Sequence, residues 1–101
     1  MSERYRNAAQ QRLCRVIGLL AGREIDGAAP SALAKALGTH PSNLTRDLYN
    51  LQEAGFAERI GDSDLWRLSP KFVQIAVSFF NQMDSAQARI DEVKQRYTRD
   101  R

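Results

Sequence analysis

The apolar residues Tyr5, Ala9, Leu13, Val16, Ile17 and Leu20 recur at steps of three and four. This spacing predicts an amphipathic helix over about residues 5–21 that buries one stripe and ends near Gly22. The stretch Arg23 to Ala29 sets Ile25 between charges and carries Gly27, leaving room for a short strand at most. Pro30 starts a second helix over residues 30–37, apolar at Leu33, Ala34 and Leu37, and Gly38 suits the left-handed residue that closes it. Only Thr39 and His40 precede Pro41, itself a favourable first helical residue, and Leu44, Leu48 and Leu51 then mark a third helix over about 41–54, stopped by Gly55. Past Gly55 the period changes to two. Phe56 to Ile60 alternates, Gly61-Asp62-Ser63-Asp64 reads as a turn and Leu65 to Leu68 returns, which predicts a hairpin over 56–68.

Ser69 is placed to cap a final helix with Pro70 at its first position. From there Phe72, Ala76, Phe79, Met83, Ala86, Ile90, Val93 and Tyr97 alternate steps of four and three, a heptad seam. A continuous helix from Pro70 to the end would be about 48 Å long, whereas a compact chain of this size has a radius of gyration of about 13 Å. Its far end therefore outruns its own domain. The economical use of the surplus stripe is burial against the same helix of a second copy, through Phe72, Ala76, Phe79, Met83, Ile90, Val93 and Tyr97. Two features pull the other way. Arg89, Lys94 and Arg96 flank the seam, so a parallel pair lacks charge complementarity, and Asp84-Ser85-Ala86-Gln87 resembles a cap at which the helix would break and fold back onto the first.

The chain of 101 residues holds enough apolar residues for one modest core. The expected fold class is mainly α with a small β-hairpin, divided into residues 1–69 and a C-terminal helix 70–101. No apolar run approaches the roughly 20 residues needed to span a bilayer, no secretory leader is recognisable, and the single cysteine, Cys14, cannot form an internal disulfide. A cytoplasmic protein is expected, with Cys14 at or beside the core. The net charge of +3 is unevenly spread: residues 1–23 carry five arginines against Glu3, residues 24–69 are net acidic, and residues 70–101 are again basic. Twelve of the fifteen basic residues are arginine, which favours planar contacts to phosphate or guanine. Glycine-rich phosphate loops, clustered metal ligands and a nucleophile with a plausible base are all missing from the sequence, so neither an enzyme nor a cofactor is expected. His40 alone cannot assemble a metal site.

Helix, short strand, helix, tight turn, helix and hairpin is the order of a winged helix-turn-helix. The chain resembles the N-terminal DNA-binding domain of IclR-type bacterial regulators over about residues 8–80. The resemblance is carried by Leu33-Ala34-Lys35-Ala36-Leu37-Gly38, by Ser42-Asn43-Leu44-Thr45-Arg46-Asp47-Leu48, by Leu51-Gln52-Glu53-Ala54-Gly55-Phe56 and by Trp66-Arg67-Leu68-Ser69-Pro70-Lys71. Winged domains of the MarR and ArsR types share much of this pattern. IclR-type regulators continue into a separate effector-binding domain, for which this chain is too short, so the resemblance implies a stand-alone DNA-binding regulator.

On a helical wheel Leu44, Leu48 and Leu51 form the buried stripe of the third helix. Ser42, Arg46, Tyr49 and Glu53 lie opposite, flanked by Asn43, Thr45 and Asn50. Placed in a major groove, Arg46 is the natural reader of guanine, Asn43 and Asn50 could pair with adenine, and Ser42 and Thr45 suit phosphates. Arg46 could instead pair with Asn43, Asn50 or Glu53 on its own helix; the tight turn and the hairpin favour the groove. Thr39 and His40 stand at the entry to this helix, His40 serving either to pack the turn or to meet a phosphate. Trp66 is expected in the hairpin core or as a lid over the third helix. The wing tip is acidic, so Arg59 and Arg67 on the hairpin, Arg4 and Arg6 in the N-terminal arm, and Arg12 and Arg15 on the first helix are the candidates for backbone contacts. The expected function is sequence-specific binding of double-stranded DNA by a homodimeric regulator with residues 41–54 in the major groove. The competing readings are a winged protein-interaction module that binds a protein partner through the C-terminal helix, and a non-specific DNA-binding accessory protein of a mobile element.

Overall fold

A computed structural model describes residues 3–99; Met1, Ser2, Asp100 and Arg101, the outer ends of the expected segments, lie outside it. After a 3-10 turn at Glu3–Tyr5, α1 runs Ala8–Leu20, α2 Pro30–Leu37, α3 Pro41–Glu53, β1 Ala57–Arg59, β2 Trp66–Leu68 and α4 Pro70–Thr98. The first helix starts later than its periodicity suggested. Asn7 is extended and its side chain accepts the Gln10 N–H, a cap that starts the helix after Tyr5, which is left 66% exposed. Cys14, expected beside the core, is also exposed.

The core forms where α1, α2 and α3 meet the hairpin. Val16 and Leu20 come from α1, Leu33 and Ala34 from α2, Leu44, Leu48 and Leu51 from α3, and Ala57, Trp66 and Leu68 from the strands. Gly38 ends α2 at φ 64°, its left-handed backbone returning the chain within two residues to Pro41. The strands pair antiparallel with Ala57 opposite Leu68, Glu58 opposite Arg67 and Arg59 opposite Trp66. The short strand expected before Pro30 is reduced to one rung: Ala28 and Trp66 exchange both backbone hydrogen bonds at 2.9 Å. Gly27 makes that approach possible, since at φ 75° a Cβ there would stand 2.6 Å from Ile60 Cδ1 and 3.0 Å from Leu65 Cβ.

Ser69 joins the winged unit to α4. Its hydroxyl donates to Gly55 O at 2.5 Å and accepts the Phe72 N–H at 3.3 Å, and its own N–H donates to Phe56 O. Lys71 Nζ donates to Ala54 O at the exit of α3, and Phe72 meets Phe56 edge to face at 5.3 Å between centroids. Phe72, expected on the dimer seam, is thus engaged by the core of its own chain. Beyond this turn α4 projects outward as one continuous helix of 29 residues, none of them buried. The alternative of a break at Asp84-Ser85-Ala86-Gln87 is not realised: residues 71–98 contain neither glycine nor proline, and a cap-like sequence without a breaker is tolerated inside a helix. The projection raises the radius of gyration to 20.1 Å and the longest extent to 70 Å.

Candidate nucleic-acid interface

The entry to α3 is built by three short polar links. His40 is the cap residue: its Nδ1 accepts the Ser42 N–H at 3.1 Å and lies 2.9 Å from Ser42 Oγ. In the neutral ring an accepting Nδ1 leaves the proton on Nε2. Asn43 Nδ2 donates to Thr39 Oγ1 at 2.8 Å, tying the half-buried Asn43 back into the turn. Thr45 Oγ1 donates to Pro41 O at 3.4 Å. One turn later Asn50 Nδ2 donates to Arg46 O at 2.8 Å. These bonds engage one donor on each asparagine, which reduces their freedom to read a base edge.

Arg46 stands differently. It is exposed on the outward face with Ser42, Thr45 and Tyr49, and among the described residues its guanidinium has no hydrogen-bonded partner. The pairing with Asn43, Asn50 or Glu53 that its sequence neighbourhood allowed is not formed by its side chain. Tyr49, 58% exposed, borders a cleft of about 260 Å³ between α3 and the hairpin, lined by Thr45, Tyr49, Gln52, Arg59 and Trp66. Trp66 is buried, matching the expectation of a hairpin-core residue, and Arg59 lies over its ring at 5.5 Å from the centroid. Gln52 was not singled out by sequence. It sits one turn beyond Tyr49 on the edge facing the wing, and only the hairpin's position reveals its place.

Arg59 and Arg67, paired in expectation as wing contacts, point to opposite faces. The register sets Arg59 opposite Trp66 and Arg67 opposite Glu58, and successive residues of a strand alternate sides. Arg59 joins the α3 cleft. Arg67 turns away, its Nε donating to Glu58 Oε2 at 2.9 Å and its Nη1 to Glu24 O at 3.3 Å. The structure does not bring Arg67 to the α3 face. Arg4 and Arg6 occupy the exposed segment before α1, with Arg4 Nη2 donating to Tyr5 Oη and its guanidinium over that ring.

Arg12, expected to add a backbone contact, is committed elsewhere. Its Nε and Nη2 donate to the two carboxylate oxygens of Asp47 at 2.6 and 2.9 Å, with side chains only 16% and 7% exposed. The hydrogen bond to Asp47 raises the Arg12 pKa, against desolvation and with further help from the Coulomb attraction. This pair clamps α1 to the buried side of α3. It explains why a charged residue can occupy the stripe side of the helix beside Leu44, Leu48 and Leu51. Arg15, by contrast, remains exposed. Among the described residues no cluster of potential metal ligands occurs, and no helix is long and apolar enough to cross a membrane.

Three helices, a tight turn between α2 and α3 and a hairpin sealed by a third strand rung define a winged helix-turn-helix, here extended by a long C-terminal helix. No protein-family model and no curated protein sequence matches the chain. Solved structures share its fold. The Zα domain of Carassius auratus PKZ, in complex with Z-DNA, aligns with TM-score 0.52 and 27% identity over 61% of this chain and 98% of that domain. A Silicibacter protein described as an IclR transcriptional regulator aligns with TM-score 0.64 and 21% identity over 82% of this chain and 33% of its own length. Lactococcus lactis ZitR aligns with TM-score 0.55 and 21% identity over 90% of this chain and 70% of its own.

Proposed function

We propose that the protein binds double-stranded DNA through the outward face of α3 and acts as a small, non-enzymatic transcriptional regulator, with a second copy joined through α4. The observation that carries this reading is the unpaired, exposed Arg46 on an α3 held rigidly by the Leu44, Leu48 and Leu51 stripe and by the Arg12–Asp47 clamp. A guanidinium in that position can donate two hydrogen bonds to guanine O6 and N7. Ser42, Thr45 and the α3 amino terminus suit phosphates, Thr39 and His40 border the same end, and Tyr49, Arg59 and the cleft between them flank the groove-facing side. Asn43 and Asn50 act chiefly by bracing the turn and the helix, through Thr39 Oγ1 and Arg46 O, and Arg4 and Arg6 add charge from the arm.

A second form of the same reading concerns the shape of the duplex. The match to a Zα domain crystallised with Z-DNA spans nearly all of that domain, and it coincides here with an exposed tyrosine beside a wing tryptophan. The test is a titration of the full chain with two labelled duplexes. One is a right-handed mixed-sequence pool, and the other is an alternating dC-dG duplex held left-handed, its form followed by circular dichroism. Tighter binding to the right-handed pool, weakened by Arg46→Ala, supports groove reading. Preference for the left-handed duplex, lost with Tyr49→Ala, supports shape recognition. Binding to neither removes both and leaves the protein-interaction reading.

A further inference from the structure

The exposed surface of α4 divides sharply in two. From Phe72 to Met83 the helix carries no charge, and Val73, Ile75, Val77, Phe79, Phe80 and Met83 are between 40% and 64% exposed. On a wheel these residues cover far more than the seam itself. From Asp84 onward the apolar seam narrows to Ala86, Ile90, Val93 and Tyr97, and three of the four positions beside it are basic: Arg89 and Arg96 on one side, Lys94 with Gln87 on the other. One half of the helix has too much apolar surface for a simple two-stranded seam. The other half has long cationic side chains with apolar stems.

A parallel, in-register pair wastes this asymmetry. It would set Arg89 of one helix against Lys94 of the other on both flanks, a like-charge contact made twice. Reversing one helix removes the conflict. When Met83 faces Ala86 of a second copy, the same register sets Phe79 against Ile90 and Ala76 against Val93, each pair joining a bulkier to a smaller residue or a ring to a branched chain. Every seam position from Ala76 to Val93 is matched without a gap. On the flanks Lys94 then lies beside Val73, Arg96 beside Ile75, Arg89 beside Gln82 and Gln87 beside Phe80 of the other copy. The basic residues cover the exposed aliphatic surface with their stems and keep their charges in water. The two helix dipoles also oppose each other. At the root of α4, where Phe72 is already engaged by Phe56, the arrangement delivers Tyr97 of the second copy, 80% exposed in the single chain.

We propose that α4 is an antiparallel homodimerisation helix whose two-fold axis passes between Asp84 and Ser85. The proposal rests on the homodimer reading above, but not on DNA binding. The pairing places the two winged units at opposite ends of the helix pair, with their Pro70 residues about 43 Å apart along its axis at a rise of 1.5 Å per residue. Two DNA-binding faces so separated would meet sites spaced by more than one helical turn.

Disulfide trapping tests the geometry directly. In a Cys14→Ser background, Phe79→Cys and Ile90→Cys are prepared as separate proteins of different mass, and circular dichroism checks that each keeps its fold. They are oxidised alone and as an equimolar mixture. The antiparallel register predicts a mixed disulfide-linked dimer from the mixture and none from either variant alone, because like positions lie about 16 Å apart. Cross-linking of Phe79→Cys or Ile90→Cys with itself overturns the proposal in favour of a parallel pair. Sedimentation of the parent chain separates the remaining outcomes. A dimer without the mixed cross-link overturns the antiparallel register alone, and a monomer at tens of micromolar overturns the homodimer reading with it. Duplex binding measured on the same samples is unaffected by either failure if the DNA-binding reading is correct.

Discussion

The winged unit and α4 use apolar residues in opposite ways. Among the described residues every buried apolar residue lies before Ser69, gathered from three helices, the Ala28 rung and a hairpin into one core, whereas α4 places a comparable supply of aromatic and aliphatic side chains on its surface. The first region satisfies itself, even to pairing the buried Asp47 with Arg12. The second is regular, continuous and unsatisfied. An amphipathic pattern therefore predicts a helix in both regions, but it does not predict that the chain itself supplies the other side of the contact.

The largest contrast should come from equivalent truncations in the two regions. Leu48→Ala, at a fully buried position, is expected to cost about 2–5 kcal/mol in urea unfolding. Ile90→Ala should leave the unfolding of the dilute chain unchanged while raising the dimer dissociation constant in sedimentation. If both substitutions shifted the unfolding midpoint alike, α4 would belong to the same cooperative core.

Next in size is the clamp between α1 and α3. Asp47→Ala strands a largely enclosed guanidinium and should lower the thermal midpoint more than Arg67→Ala, which removes the half-exposed bridge to Glu58. The raised Arg12 pKa fixes the sign of its pH dependence. Its contribution is complete below the unfolded guanidinium value and fades only as pH climbs through the folded one, so between about pH 5 and pH 10 no stability is lost through Arg12. A thermal midpoint that fell on the alkaline side in the parent but not in Arg12→Ala would contradict this.

Smaller effects distinguish readers from supports. Arg46→Ala should weaken the preferred duplex by about 1–3 kcal/mol and relax selection at one base pair, seen by comparing preferred and mismatched duplexes in anisotropy titrations. Arg4→Ala with Arg6→Ala should weaken all duplexes alike and flatten the salt dependence by roughly two units of log–log slope. Arg67→Ala should change affinity least, because Arg67 faces away from the α3 cleft.

Much of this was legible in the sequence because it is local. Pro30, Gly38, Pro41, Gly55 and Ser69-Pro70 are punctuation whose physics acts within a few residues, and the leucine stripe of α3 follows from a wheel. The change to period two located the hairpin. That same period, carried one step further, separates Arg59 from Arg67, since only one of two positions offset by a single register step can face α3. The wheel sets Asp47 on the stripe side, but its pairing was not legible, because its partner lies 35 residues earlier and neither side chain announces the other. Tyr5 fits the apolar spacing of α1, while the Asn7 cap that excludes it from the helix is a single hydrogen bond. In the candidate site, the outward residues of α3 were readable one by one. Their meeting with Arg59, Gln52 and Trp66 around a cleft depends on where the hairpin folds back.

The most direct test of the account is selection from a randomised duplex pool at near-physiological salt, carried out in parallel with the parent chain and Arg46→Ala. Enrichment of a defined sequence by the parent, with the preference at one base pair lost in the variant, is the predicted result. Identical enrichment by both proteins, or no retention of duplex by the parent, would contradict the assignment of α3 as the reading element.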